Sequence, residues 1–354
     1  MIITSVTARK VETPLKNPLT VALGTIYTSE TVYLKLETDC GLVGYGEGIG
    51  VTFVTGETSD QTLNALKLFE PIILGKNPHA ISQIHREMDM LLVGNGAAKA
   101  AVDIALYDLM AKAAGLPLYR FLGGSSNQIE TDITIGISSP EKMAEMAAQY
   151  VTDGFRELKI KAGTNPDLDV EALRLIRQAA PTARLKVDAN QGYTVATSMR
   201  VIRACEKFEI EAMEQPLPFW DIAGLQELRT RTDLPIIADE SCFTPQDAFK
   251  IAKTGAADIL NIKLMKCGGL YRANQISTIA ESAGLRCMLG CMMESRLSIA
   301  AAAAFVAANK CVIYADLDSF LALDDSSVIK SSFNLEAPTI TLQETPGLGV
   351  EVNI

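Results

Sequence analysis

Two patterns of apolar and polar positions divide the chain. Over residues 6–11, 31–37 and 42–47 the two kinds alternate in short runs, with Asp39-Cys40-Gly41 as the turn between the last two. A period of two is that of strands with one covered face, so an antiparallel meander is predicted. Between the first two runs, residues 17–27 are too apolar for a free loop and too broken by Pro18 and Gly24 for a helix, and are read as a lid. Helical spacing follows and is clearest over residues 96–114, where apolar positions cover most of the circumference until Gly115 and Pro117 stop the helix. A helix of that kind is buried between layers.

From Thr131 short apolar strands alternate with helices. Strands are predicted at 131–136, 155–161, 184–188, 210–214, 236–239, 259–263, 286–289 and 312–316, and helices at 140–152, 167–180, 195–208, 246–254 and 271–283. This is the rhythm of βα units and a parallel sheet, and eight such strands suggest a closed barrel. An open doubly wound sheet is the rival, although no GxGxxG marks a first βα turn. Residues 331–354, with Pro346-Gly347-Leu348-Gly349, are β-like and are expected to return to the N-terminal meander.

Composition removes several functions. A hydrophobic fraction of 48% over 354 residues fills a sizeable core, and a net charge of -10 with scattered cations argues against nucleic acid or an anionic membrane as partner. Met1-Ile2-Ile3-Thr4 lacks the start of a signal peptide and no apolar run reaches spanning length, so the expected address is cytoplasmic. Seven cysteines without a CxxC pair point to reduced thiols, not a disulfide framework or zinc site. The two histidines, His79 and His85, lie far from the acid-rich strands, so acid–base chemistry falls to other residues.

Sites in barrels form where the strands end, and there the chain carries Lys159, Lys161, Asp188, Asn190, Glu214, Asp239, Glu240, Lys263, Asp316 and Asp318. Alternation puts Lys159 and Lys161 on one face of their strand; alone they read as a solvated edge, but the acids downstream would compensate buried ammonium charge. A single acid at a strand end is usually a helix cap or a salt bridge, whereas Asp188, Glu214 and Asp239 follow three successive strands. With no His or Cys among them they suit a hard cation, Mg²⁺ first and Mn²⁺ as the alternative. Lys161 and Lys263 belong to the second and sixth strands, across the axis of such a barrel, a geometry for two bases on opposite faces of one carbon. Removing a proton next to a carboxylate creates a dianion, which the cation would neutralise. Burial, the cation and Lys159 are together expected to lower the pKa of the lysine base.

Lys159-Ile160-Lys161, Asp188-Ala189-Asn190, Glu214-Gln215-Pro216, Ala238-Asp239-Glu240-Ser241 and Asn261-Ile262-Lys263, in this order, resemble the enolase superfamily and its muconate-lactonizing subgroup. The stretch from Ala101 to Asp108, with Gly115-Leu116-Pro117 and Leu122-Gly123-Gly124, is similar to the capping domain of that family. The resemblance covers nearly the whole chain. It implies an α/β fold: a modified TIM barrel, (β/α)7β, over residues 126–325 under an α+β capping domain of residues 1–125, with residues 326–354 returning to the cap. It also implies Asp188, Glu214 and Asp239 as Mg²⁺ ligands and Lys161 with Lys263 as the opposed acid/base pair.

Within the subgroup, Asp316-Leu317-Asp318 resembles the feature with which dipeptide epimerases grip the substrate's α-ammonium group, a role two carboxylates fit physically. The same resemblance gives Lys159 and Thr134 contacts to the substrate carboxylate or peptide carbonyl, and Cys291 a place along the peptide. Where Ala-Glu-selective members are expected to carry an arginine, this chain has Gly24, beside Ile26 and near a second loop carrying Phe53. A buried substrate carboxylate would lack a partner there, so a dipeptide with a hydrophobic C-terminal residue is expected. Members of the family often form homo-oligomers. Muconate cycloisomerase or o-succinylbenzoate synthase chemistry is the alternative on the same fold; a Schiff-base lysine aldolase and a non-catalytic binding protein are the alternatives of other classes.

Overall fold

A computed structural model describes residues 1–353; Ile354, the end of the predicted C-terminal stretch, lies outside the described residues. The chain opens with an antiparallel meander, β1 (Ile3–Val21), β2 (Gly24–Thr38) and β3 (Val43–Ile49), followed by helices α1 (Ser59–Ile73), α2 (Ile81–Leu91), α3 (Gly96–Ala113) and α4 (Leu118–Phe121). The apolar helix α3 is the layer on which the meander packs. Glycines on β3 allow the contact, since a Cβ on Gly46 would lie 1.9 Å from the Ala101 carbonyl oxygen.

The segment read as an irregular lid is instead the tip of one long hairpin. Leu19 pairs with Ile26 and Val21 with Gly24, beyond a shift of register between Pro14 and Leu19. As the outer strand of the sheet, β1 tolerates its prolines, because an edge leaves some N–H groups without a ladder partner anyway. The tip reaches the barrel, where Ile137 N donates to Thr20 O at 2.9 Å.

After β4 (Gln128–Glu130) come eight parallel strands in sequential order: β5 (Ile133–Ile135), β6 (Glu157–Lys161), β7 (Arg184–Asp188), β8 (Ile210–Glu214), β9 (Ile236–Ala238), β10 (Ile259–Ile262), β11 (Arg286–Gly290) and β12 (Val312–Asp316). Asp132 N donates to Ala315 O at 2.9 Å next to β5 and β12, nearly closing the ring and excluding the open doubly wound sheet. Between strands run α5 (Pro140–Thr152), α6 (Pro166–Ala179), α7 (Val195–Cys205), α8 (Ile222–Arg229), α9 (Pro245–Thr254), the single turn α10 (Leu264–Cys267), α11 (Leu270–Ser282) and α12 (Arg296–Ala308). Ser139, Asn165, Thr194, Asp221, Thr244 and Ser295 each cap one of these helices, and Pro140, Pro166 and Pro245 stand in the first turns of α5, α6 and α9. The predicted helix 195–208 ends early, its last residues forming a 3₁₀ turn.

Alternation sorts the barrel residues. Leu158, Ile160, Leu185 and Val187 pack outward under the helices, whereas Lys159, Lys161, Lys186 and Asp188 point inward, all of them buried. Ala212, Ile237, Ile259 and Met288, with Tyr314, form a small apolar layer inside.

The C-terminal tail does not join the meander. Its β13 (Ile329–Ser331) pairs with β16 (Glu351–Val352), while β14 (Asn334–Glu336) and β15 (Thr339–Thr341) extend β4. The tail then docks on the ends of α3 and α4, where Leu348 N donates to Asp108 Oδ1 at 2.8 Å and Leu118 N to Gly347 O at 2.7 Å. Meander and barrel are joined by Glu47 of β3, whose carboxylate accepts from Ser295 N (2.7 Å), Ser295 Oγ (2.6 Å) and Ser298 N (2.9 Å) at the start of α12. Among the described residues no helix is long and apolar enough to cross a membrane.

Candidate active site

The parallel register of β6, β7 and β8 sets Lys161 beside Asp188 and Asp188 beside Glu214. The next strand, β9, ends one residue short of Asp239, and β10 one short of Lys263, so both lie where the chain leaves the barrel wall. One oxygen each of Asp188, Glu214 and Asp239 falls within 4.8 Å of the others, and all three residues are buried. Lys161 Nζ lies 2.7 Å from Asp188 Oδ2 and Lys263 Nζ 2.8 Å from Asp239 Oδ2, one lysine at each outer member of the trio. Lys159 Nζ stands in the middle, 2.7 Å from Asp316, 2.9 Å from Glu214 and 3.1 Å from Asp188.

The trio fits a divalent cation. Its donors are all carboxylate oxygens, and Glu214 Oε2 and Asp239 Oδ2, although close to ammonium groups, lack any well-formed hydrogen bond. Burial would raise Asp188, but Lys161 and Lys159 outweigh it and hold the carboxyl below its ordinary range. Asp239 is likewise held down against burial by Lys263, Lys266 and Lys159. Glu214 goes up, by burial and then by the charge of Asp188, which Lys159 offsets only in part. Glu240 is pushed to about 7 by burial and then by Asp239 and Asp188.

The expected lowering of a lysine pKa is not what the protein groups alone produce at Lys263. Burial does pull it down, but attraction to Asp239, reinforced by Glu214 and Glu240, prevails and holds the ammonium above its ordinary value despite repulsion from Lys159. The carboxylates suited to a cation also stabilise the lysine's proton, and they favour that proton less once shared with a metal.

Asp316 and Asp318 form a second acidic group, with Cys291. One ligand-type atom from each lies within 4.8 Å of the others. Thr134 N donates to Asp318 Oδ2 at 2.6 Å, which places Thr134 here, and Cys291 Sγ is 4.0 Å from Asp318 Oδ1. Lys159 and Lys161 overcome burial to hold Asp316 at about 2, whereas burial and the neighbouring Asp316 push Asp318 up to about 6. Of the lid residues, Gly24 faces Phe53, whose ring would be 3.6 Å from a Cβ at that position. Ile26 and Phe53, with Ile49, Val51 and Met293, line a cavity of about 250 Å³ that also includes Glu30 and Ser59.

Three supporting residues went unrecognised as such in the sequence. Asn261 Nδ2 donates to Glu214 Oε1 at 2.5 Å; Gln215 Oε1 accepts from Asp239 N at 2.9 Å and Ser241 N at 3.1 Å; Lys266 Nζ lies 2.5 Å from Asp239 Oδ1. Asn261 and Gln215 sit inside motifs already singled out. Lys266 had only its spacing, three residues past Lys263, as a signal.

Two family models match the chain: "Mandelate racemase / muconate lactonizing enzyme, N-terminal domain" over residues 3–123 and "Enolase C-terminal domain-like" over residues 142–353. The hydrophobic dipeptide epimerase of Enterococcus faecalis is 44% identical over 99% of this chain and 99% of its own length. The L-Ala-D/L-Glu epimerase of Bacillus subtilis is 40% identical over 99% of this chain and 97% of its own. The crystal structure of the E. faecalis V583 dipeptide epimerase with Mg and L-Leu-L-Tyr superposes with a TM-score of 0.97 at 44% identity, covering 99% of each chain. From the acid trio between its lysines to these full-length likenesses, the chain belongs to the mandelate racemase/muconate lactonizing enzyme family of the enolase superfamily.

Proposed function

We propose that this chain is a Mg²⁺-dependent dipeptide epimerase that inverts the α-carbon of the C-terminal residue of an L,L-dipeptide and prefers a hydrophobic residue there. The observation that carries the reading is the placement of Lys161 and Lys263 at opposite members of a carboxylate trio, with a separate acid pair, Asp316 and Asp318, whose Asp316 meets Lys159. The likeness to epimerases that act on dipeptides supports it.

Lys161, as the free amine, takes the α-proton of the L-configured residue; the electron pair of the broken C–H bond passes onto the neighbouring carboxylate. Lys263, as the ammonium, returns a proton to the other face, and the roles exchange in reverse. Asp188, Glu214 and Asp239 would hold Mg²⁺, which supplies the positive charge that offsets the dianion; Mn²⁺ suits the same donors. Lys159 and Thr134 meet the substrate's carboxylate or carbonyl, Cys291 lines the peptide, and Asp316 with Asp318 accepts hydrogen bonds from the α-ammonium. Ile26 and Phe53, with Gly24 set against the Phe53 ring, form the apolar wall over the inverted side chain.

The assigned regions are a cap of residues 1–125, a barrel of 126–325 and a tail of 326–354. The acidic balance of the chain supports a small substrate over nucleic acid or membrane, for a cytoplasmic enzyme. A dipeptide panel assayed for inversion and for solvent deuterium at the α-carbon tests the reaction. Hydrophobic C-terminal residues should turn over fastest, and fastest turnover of an acidic or cationic one would refute the preference. Cyclisation without exchange would instead favour cycloisomerase chemistry, and metal-independent activity trapped by borohydride would favour a Schiff base.

A further inference from the structure

The mechanism leaves Lys266 without a task, although its side chain is fully buried beside Asp239. An ammonium has three hydrogens to donate. Here they meet Asp239 Oδ1 at 2.5 Å, Asp239 O at 2.6 Å and Asn261 O at 2.9 Å. Lys161 and Lys263 each make a single close carboxylate contact, at 2.7 and 2.8 Å, which leaves donors for a substrate. Lys266 has none left, so it serves as an anchor and not as an acid or base.

Its three acceptors sit at consequential places. By occupying Oδ1 of Asp239 it leaves Oδ2, which has no well-formed hydrogen bond of its own, as the oxygen that faces Lys263. The Asn261 carbonyl belongs to the residue whose side-chain amide holds Glu214 Oε1, two positions before Lys263. The one-turn helix α10 brings the ammonium there: Lys266 N donates to Lys263 O at 3.0 Å, and Gly268, at a φ of +90°, ends the turn. The first residue of α3 closes the turn from the other side, since a Cβ on Gly96 would lie 2.4 Å from Met265 O and 2.6 Å from Lys266 O.

We infer that Lys266 is a positioning residue for the metal centre, fixing Asp239 so that one carboxylate oxygen faces the cation and holding Glu214 in place through Asn261. This rests on the reading of the trio as the Mg²⁺ site. Outer partners of metal ligands are worth about 10- to 100-fold in metal affinity. Calorimetric titration of Mg²⁺ into the purified full-length chain, without dipeptide, should therefore show at least about tenfold weaker binding in Lys266→Met. Lys266→Arg, which keeps a charge and several donors at Asp239, should recover part of that affinity. If Lys266→Met does not fold, Lys266→Gln, whose amide can still meet the main-chain carbonyls, is expected to lose about fivefold or more. Melting in EDTA, where a metal-positioning role has no effect, separates this from loss of stability. Mg²⁺ affinity within twofold of the unaltered chain, or tighter, in a folded variant overturns the role of Lys266 alone. If the unaltered chain itself binds no Mg²⁺, the reading of the trio falls and this inference with it.

Discussion

The barrel buries lysines among acids at two levels, and the two groups differ in how their charges match. On the N-terminal side, Lys186 lies 2.8 Å from Asp132 Oδ2 and pairs with Glu157, which also meets Arg184, while Tyr314 lies 4.3 Å from the Lys186 ammonium. Two cations face two carboxylates, a set matched in formal charge even though burial holds the Asp132 carboxyl above its ordinary range despite Lys186. At the C-terminal mouth four buried lysines (Lys159, Lys161, Lys263 and Lys266) stand among six acids, five of them buried (Asp188, Glu214, Asp239, Glu240 and Asp316) and Asp318 half-buried. The excess acid shows in Glu240 at about 7 and Asp318 at about 6, each raised first by burial and then by a neighbouring carboxylate. Matched charge in a protein interior is architecture, whereas unmatched charge marks a place prepared for an incoming cation. An ion of charge two at the trio and an ammonium at Asp316 and Asp318 are the cations the proposed reaction would bring.

This contrast assigns different consequences to changes at the two levels. The largest effect on turnover should follow metal removal: with EDTA, epimerisation falls to background and returns with Mg²⁺ or Mn²⁺, measured polarimetrically. Activity that survives thorough chelation would break the contrast. Next, Lys161→Met and Lys263→Met should each lose about 10³-fold or more in turnover. Lys263→Met should still exchange the α-proton of the L-configured residue for solvent deuterium without inverting it, a split visible by NMR. Asp316→Asn should raise KM for the dipeptide by about 10- to 100-fold through loss of a charge-assisted hydrogen bond. The smallest change in turnover belongs to the balanced group. Lys186→Met should leave kcat within about twofold while costing about 3–5 kcal/mol of stability in denaturant titrations, because it strands a buried carboxylate. If Lys186→Met lost turnover in parallel with Lys161→Met, the two levels would not be functionally distinct.

The sequence exposed the barrel because several strands end by replacing an apolar inward position with a charged one, as in Ala212 to Glu214 or Ile237 to Asp239. Local alternation was enough to read that. The hairpin was harder, because its Pro18 suggests a break unless the strand is known to lie at an edge, and edges are set by which strands pair. The tail failed for a similar reason: the partners of Gly347 and Leu348 lie more than 200 positions away, on α3 and α4. At Lys263 the sequence shows that acids are near but not that Asp239 sits within hydrogen-bonding distance, so the hold of that carboxylate on the ammonium proton was not legible. Lys266 was missed because the one-turn helix that folds it back over Asp239 is too short for any periodicity to reveal.

Glu47 also has a bearing on redesign. Its carboxylate closes the start of a barrel helix from outside the barrel, with Ser295 and Ser298 as donors. A chimera that grafts a relative's meander onto this barrel to change peptide preference must bring an acceptor of the same reach at position 47. Otherwise the graft leaves the N–H groups of Ser295 and Ser298 unmet, close in sequence to Met293 of the cavity beside Phe53, and a loss of activity would be mistaken for a change of taste.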